Sequence, residues 1–210
     1  SDNSSLSISV TTHFDLFDMN LFVLTEWQIK HNACKLFSEL YNIKIYNSDV
    51  RAKLLYSIEV ELFNKIKEIF KESIVDNKVD LKILGHIVFN DFNKLKILNS
   101  IITPFITADF NFWLKDNIKE KYIIIESAIL LESNLKDYCN QIIYVFAPEN
   151  ERIKRVKNRD NRSLEQIERI LKIQKSHTDF LKNSSIMLDN SNNTNNLKET
   201  IEILNSTFSD

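Results

Sequence analysis

The stretch E-W-Q-I-K-H-N, residues 26–32, follows an apolar run, L-F-V-L-T, and leads into a helix-like pattern. Strand, loop and helix in that order is the layout many nucleotide-binding proteins use to hold phosphate. Glycines in such a loop let successive backbone N–H groups converge on oxygens. The helix N-terminus favours negative charge, and a lysine and a hydroxyl residue reach the phosphate and its metal ion. Here the loop carries Glu26, Trp27, Gln28 and Ile29, with Lys30, His31 and Asn32 after them and no glycine. Side chains at all these positions obstruct a cradle of bare amides, and Glu26 adds a negative charge where an anion would sit. A second apolar run, Ile43–Tyr46, ends at N-S-D, whose last residue is Asp49. A cluster of cations, Arg152, Lys154, Arg155, Arg159 and Arg162, occupies one short segment. Its simplest reading is a solvated basic helix pairing with Glu165 and Glu168.

The elements that must position these groups alternate. Leu21–Leu24, Ile43–Tyr46, Lys121–Glu126, Gln141–Phe146 and Ile186–Leu188 read as strands. Ala33–Leu40 has helical apolar spacing. Val50–Phe70 reads as one helix with Leu54, Leu55, Ile58, Leu62, Ile66, Ile69 and Phe70 on a broad face. Leu81–Phe89, Phe92–Ile102 and Phe105–Lys119 are further helices, the last two divided by Thr103-Pro104. Asn150–Asn158 is a short basic helix. Ser163–Leu181 is a helix opened by the capping-box spacing of Ser163 and Gln166. Leu197–Phe208 closes the chain as an amphipathic helix. Such alternation predicts an α/β domain with a mainly parallel sheet, whose ligands lie beyond the carboxyl ends of the strands. Those ends carry Thr25, Asp49 and the segment around Glu126–Glu132.

Bulk properties narrow the function classes. The chain has 210 residues and a net charge of −2, so no global basic field points to nucleic acid. No apolar run approaches the ~18 residues of a membrane span. Cys34 and Cys139 lie far apart and form no metal or disulfide spacing; they are expected to be buried thiols in a reducing compartment, with the cytoplasm as the expected location. His13, His86 and His177 show no ligand spacing, and no metal-binding cluster is expected. Trp113 sits on an apolar helical face and is expected in the core, whereas Trp27 lies in the loop itself. Residues 1–18 form a polar, Ser-rich leader, expected to be either disordered or an added edge strand.

Several ordered motifs resemble the dephospho-CoA kinase family. I-Y-N-S-D at 45–49 is similar to its V-I-D-A-D. V-D-L-K-I-L-G-H-I-V-F, L-N-S-I-I-T-P-F-I and E-S-A-I-L-L-E-S-N-L are similar to its next three motifs. I-I-Y-V-F-A-P-E-N-E-R-I-K-R-V-K-N-R-D is similar to its lid segment, and I-L-K-I-Q and L-D-N to its last two motifs. The resemblance spans roughly Leu21 to Phe208. It implies a P-loop NTPase-like three-layer fold with a mainly parallel five-stranded sheet. It also implies a helical CoA-side region at about 50–119 and a lid at about 155–183, within one domain over 19–210. The reaction it implies is ATP-dependent phosphorylation of the ribose 3′-OH of dephospho-CoA, with ATP and Mg²⁺ as cofactors if the chain is active.

Carried over residue by residue, the resemblance makes Asp49 the base for the acceptor hydroxyl. Lys30, Arg155 and Arg159 become the groups on the phosphoryl side. His31, Asn32 and Asn190 join Lys30, Arg155 and Arg159 on the nucleotide side. Thr103, Glu132 and Gln174 join Asp49 on the substrate side. The departures are as informative. The family's loop, G-G-I-G-S-G-K-S-T, is two residues longer and glycine-rich. His31 stands where the hydroxyl residue belongs, Asn47 replaces an aspartate, and Thr103 replaces a histidine. The substrate-side arginines fall at Leu81, Gly85 and Ile87. The expectation is a family member with weak or lost ATP binding, serving as a binding or scaffold subunit for a CoA-like ligand or a protein partner. An active kinase with a divergent loop is the alternative.

Overall fold

The structure is a computed structural model that describes residues 20–25, 30–127, 134–160, 164–165, 167–168, 177–191 and 194–209. The strands are β1 (Asn20–Thr25), β2 (Lys44–Asn47), β3 (Ile74–Val75), β4 (Lys78–Val79), β5 (Tyr122–Glu126), β6 (Gln141–Phe146) and β7 (Ile186–Asp189). The helices are α1 (Lys30–Tyr41), α2 (Ser48–Ile58), α3 (Val60–Ile69), α4 (Leu81–Phe89), α5 (Phe92–Asn117), α6 (Glu149–Asp160), α7 (His177–Asn183) and α8 (Thr194–Ser209).

Five strands form one sheet in the order β2-β5-β1-β6-β7, and every pairing in it is parallel. This is the α/β arrangement the alternating pattern predicts. β5 explains why the sheet is sandwiched. All five of its residues are buried, and they alternate in direction, as period-2 geometry requires. Ile123 and Ile125 join the core formed with α2 to α5, where Tyr46, Leu62, Ile66, Ile102 and Phe110 meet. Tyr122 and Ile124 join the core formed with α1 and α8, where Phe37, Leu188, Leu197 and Ile201 meet. Two helical layers therefore flank the sheet, giving three layers in all.

Three expected helices take a different form. Residues 50–70 are not one helix. Glu59 is extended (φ −90, ψ 105), and its N–H closes α2 by donating to the Leu55 carbonyl. The break re-aims the apolar face: Leu55, Leu62, Ile66 and Phe70 are buried, whereas Leu54, Ile58 and Ile69 are exposed. No glycine or proline announces this break. Conversely, α5 runs unbroken through Pro104 for 26 residues. Proline removes one backbone hydrogen bond and tends to kink a helix, yet Leu98, Ile102, Ile106, Phe110 and Leu114 hold both halves against the core. Thr103 Oγ1 also donates to the Asn99 carbonyl at 2.6 Å, adding a bond next to the one that proline deletes.

The β3–β4 hairpin turns through Asp76 and Asn77, both with positive φ (48 and 57). That is the backbone a tight two-residue hairpin demands, and Asp and Asn tolerate it better than other non-glycine residues. Trp113 packs against Tyr46 and Phe110, as the apolar-face pattern predicts. Cys34 is buried and Cys139 half-buried. Burial, and then the charge of Asp137, push the Cys139 thiol far above its ordinary range, so it stays protonated. No helix among the described residues is long and apolar enough to cross a membrane. The leader 1–18, Trp27 and the Ser163/Gln166 capping box lie outside the described residues.

Candidate functional site

The carboxyl ends of β1, β2, β5 and β6 open on one edge of the sheet, as parallel strands require. At the end of β2, Asn47 caps α2: its side-chain oxygen accepts from the Val50 N–H at 2.9 Å. Its amide nitrogen donates to Glu126 Oε2 at 2.7 Å. The neighbouring Ser48 hydroxyl, itself buried, donates to the Glu126 carbonyl at 3.1 Å. These bonds follow from register, because Asn47 and Glu126 are paired across β2 and β5. They hold the first turn of α2 against the end of the sheet. Asp49 lies in that turn and is half-buried, at a helix N-terminus, where negative charge is favoured.

Glu126 is a candidate site residue that the sequence marks only as the start of a segment at this edge. It is 5% exposed, and His31 Nδ1 approaches its Oε2 to 3.8 Å from the start of α1. Next to it, Ser127 is fully buried, and its hydroxyl has no hydrogen-bond partner among the described residues. In sequence, K-Y-I-I-I-E reads as a strand ending in an ordinary charged residue. Only strand order shows that the carboxylate ends between β2 and β1, facing the start of α1. Asn47 is the residue that makes its burial tolerable, since an aspartate there would set two carboxylates in contact.

On the phosphoryl side, Lys30 is the first residue of α1, and its side chain lies outside the described residues. His31 and Asn32 are exposed on the first turn. β1 ends at Thr25; residues 26–29, which the sequence fills with Glu26, Trp27, Gln28 and Ile29, lie outside the described residues.

Arg155 belongs to α6 and does not point freely outward. Its Nη2 donates to the Asn190 carbonyl at 2.9 Å and reaches the Ser191 carbonyl at 3.4 Å. Nη1 is buried with no hydrogen-bond partner among the described residues. Asn190 is 5% exposed, and its N–H donates to the Phe146 carbonyl at 2.8 Å. Asp189 Oδ1 accepts from the Ser191 N–H at 2.9 Å and from its hydroxyl. Arg155 and Asn190 are thus brought together as one tied loop after β7. Asp49 and Arg155 are not: β2 and β7 are the two edges of the sheet, four inter-strand spacings or about 19 Å apart. Thr103 is half-buried on α5, with its hydroxyl proton committed to its own helix. Arg159 lies in α6, its side chain outside the described residues, and Glu132 and Gln174 are outside them altogether. Among the described residues no group of three His, Cys, Asp or Glu can hold a metal ion.

A second cluster borders Asp49. The Tyr46 hydroxyl, on a residue 1% exposed, donates to Asp109 Oδ2 at 2.7 Å and lies 3.2 Å from the Ile106 carbonyl. Arg51 Nε donates to the same Asp109 oxygen at 2.7 Å, and its Nη2 donates to Oδ1. The fork is bidentate, the strongest arrangement for such a pair. Burial pushes the Asp109 carboxyl up, but the hydrogen bonds from Arg51 and Tyr46 and the charge of Arg51 outweigh it, and the net direction is down. Burial, and then Asp109 itself, push the Tyr46 hydroxyl up, so it remains a donor.

Comparison with known proteins gives these positions a context. A family model described as dephospho-CoA kinase matches residues 29–196. A dephospho-CoA kinase from Leptospira interrogans is 31% identical over 181 residues, covering 85% of this chain and 87% of that protein. Another, from Fusobacterium nucleatum, is 31% identical over 163 residues, covering 76% of this chain and 82% of that protein. Among solved structures, TT1252 from Thermus thermophilus matches with a TM-score of 0.74 at 19% identity, over 90% of this chain and 96% of that one, a likeness of fold. The dephospho-CoA kinase from Campylobacter jejuni matches with a TM-score of 0.61 at 25% identity, over 91% and 98%.

Proposed function

The chain belongs to the dephospho-CoA kinase family, and from that membership we propose that it keeps the acceptor side of the family's site while binding ATP weakly or not at all. Its role on this reading is to bind a CoA-like ligand or to act as a scaffold subunit. The observation that carries the proposal is the sequence after β1: Glu26 to Ile29, none of them glycine. Phosphate binding by backbone amides needs positive-φ freedom and bare Cα atoms, and no residue in this stretch offers either. The family match begins at Ile29, after most of that stretch.

The magnesium ion that accompanies ATP does not fit the donors at the start of α1. His31 offers an imidazole nitrogen where the family has a hydroxyl, and magnesium prefers oxygen. The nearby Glu126 carboxylate is already engaged by Asn47. What supports a retained acceptor side is the capped first turn of α2, with Asp49 in it as the candidate base. Arg155 acts on this reading as a brace for the loop at Asn190.

A working kinase with a divergent loop is the second reading, favoured by Lys30 at the head of α1 and by Asp49. Coupled phosphorylation of dephospho-CoA, run beside calorimetric titration of the same ligand, separates the two. The proposal expects ligand binding without turnover. Turnover abolished in Asp49→Ala would support the kinase reading instead, and absence of dephospho-CoA binding would remove the retained acceptor side.

A further inference from the structure

The family's substrate-side arginines have no counterpart on α4, where Leu81, Gly85 and Ile87 stand. A ligand carrying a diphosphate still needs a cation. Arg51 is the sole arginine before Arg152 in the whole chain. It lies in the first turns of α2, two residues after Asp49, and its side chain crosses to Asp109 on α5. Residues two apart on a helix do not face each other, so Arg51 is no partner for Asp49. It lies instead between α2 and α5, two of the helices that pack on the acceptor side of the sheet.

The exposure of this pair is asymmetric. The Asp109 side chain is 10% exposed and that of Arg51 is 34% exposed. The carboxylate is the more buried partner, held by the Tyr46 hydroxyl and by the guanidinium. Nε and Nη2 face Asp109. A guanidinium has five N–H donors, and one carboxylate occupies two of them. The remaining edge is fixed in direction by the bidentate contact, so little side-chain entropy is left to lose on binding an anion. A purely structural ion pair would not need the third partner: Tyr46 supplies Asp109 with a second donor, so the carboxylate stays satisfied when Arg51 shares its charge with a ligand.

We propose that Arg51 is the substrate-side cation of this chain, a guanidinium oriented by Asp109 and Tyr46 to pair with the diphosphate of a CoA-like ligand. This rests on the retained-acceptor reading above. It explains how a chain without the α4 arginines can hold the same class of ligand.

The test is calorimetric titration of dephospho-CoA into wild type, Arg51→Ala, Arg51→Lys and Asp109→Asn at several salt concentrations. Loss of one charge-assisted contact is expected to weaken binding by about tenfold or more in Arg51→Ala. Arg51→Lys restores part of the affinity, because the charge returns without the fork. Asp109→Asn falls between, since the guanidinium survives unoriented. The dependence of affinity on salt flattens in Arg51→Ala and not in Arg51→Lys, a signature that a merely structural role does not produce. Arg51→Lys also keeps the test open should Arg51→Ala fail to fold. Wild type that binds while both Arg51 variants bind equally well overturns this inference alone. Wild type that fails to bind dephospho-CoA overturns the retained-acceptor reading and this inference with it.

Discussion

Asp109 shows how single residues set the behaviour of the site. Its carboxylate is depressed in the folded chain by Arg51 and Tyr46, against the opposing effect of burial. A carboxylate depressed on folding stabilises the protein above its unfolded pKa of ~3.9, and the contribution is lost as pH falls through the folded value. Urea unfolding of wild type and Asp109→Asn should therefore differ by a constant amount from neutral pH down to about 5, and the difference should shrink below about pH 4. A difference that grows with acid would show that Asp109 is not held by Arg51. At this scale the sequence was an uneven guide. Asp49 stood out because it follows an apolar run in a strand-to-helix segment. Glu126 stood out only as the start of a segment, because its significance depends on which strands flank β5, and strand order is a property of topology rather than of local pattern. Arg51 was equally silent, since its partner is 58 residues away.

Elements were legible where hydrophobic periodicity is strong and illegible where packing overrides a local signal. β5 and β6 announce themselves as β-branched runs, and both are largely buried. The break at Glu59 had no punctuation to reveal it. The β3–β4 hairpin was missed because its turn, D-N, lacks the glycine that usually marks such turns. Pro104 gave the opposite error, a strong breaker signal in a helix that continues. Its ring is exposed, so replacing it costs no packing. Pro104→Ala should restore a backbone N–H to α5 and raise stability by at least about 1 kcal/mol, after the gain in helix propensity is set against the greater freedom of the unfolded chain. The check is the urea midpoint at unchanged slope; a lower midpoint would mean that the proline shapes the core around Ile102 and Ile106.

For the whole molecule, the proposal separates fold from phosphate chemistry. The three layers and the parallel sheet follow from alternation, and family membership follows from motifs spread along most of the chain. Departures from the family's motifs fall on both sides: no glycine at residues 26–29 and His31 in place of a hydroxyl on one, Asn47, Thr103 and the uncharged Leu81, Gly85 and Ile87 on the other. Around the first turns of α2, Asn47 bonds to Glu126, and Tyr46 and Arg51 bond to Asp109. The central claim is that the absence of glycine between Thr25 and Lys30 weakens or abolishes ATP binding. The melting temperature of the purified protein, titrated with ATP and Mg²⁺ into the millimolar range, tests it most directly. A ligand at a hundred times its Kd stabilises the folded state by about 2.7 kcal/mol. The account predicts no saturable rise in melting temperature with ATP and Mg²⁺; a rise that saturates at micromolar nucleotide would contradict it.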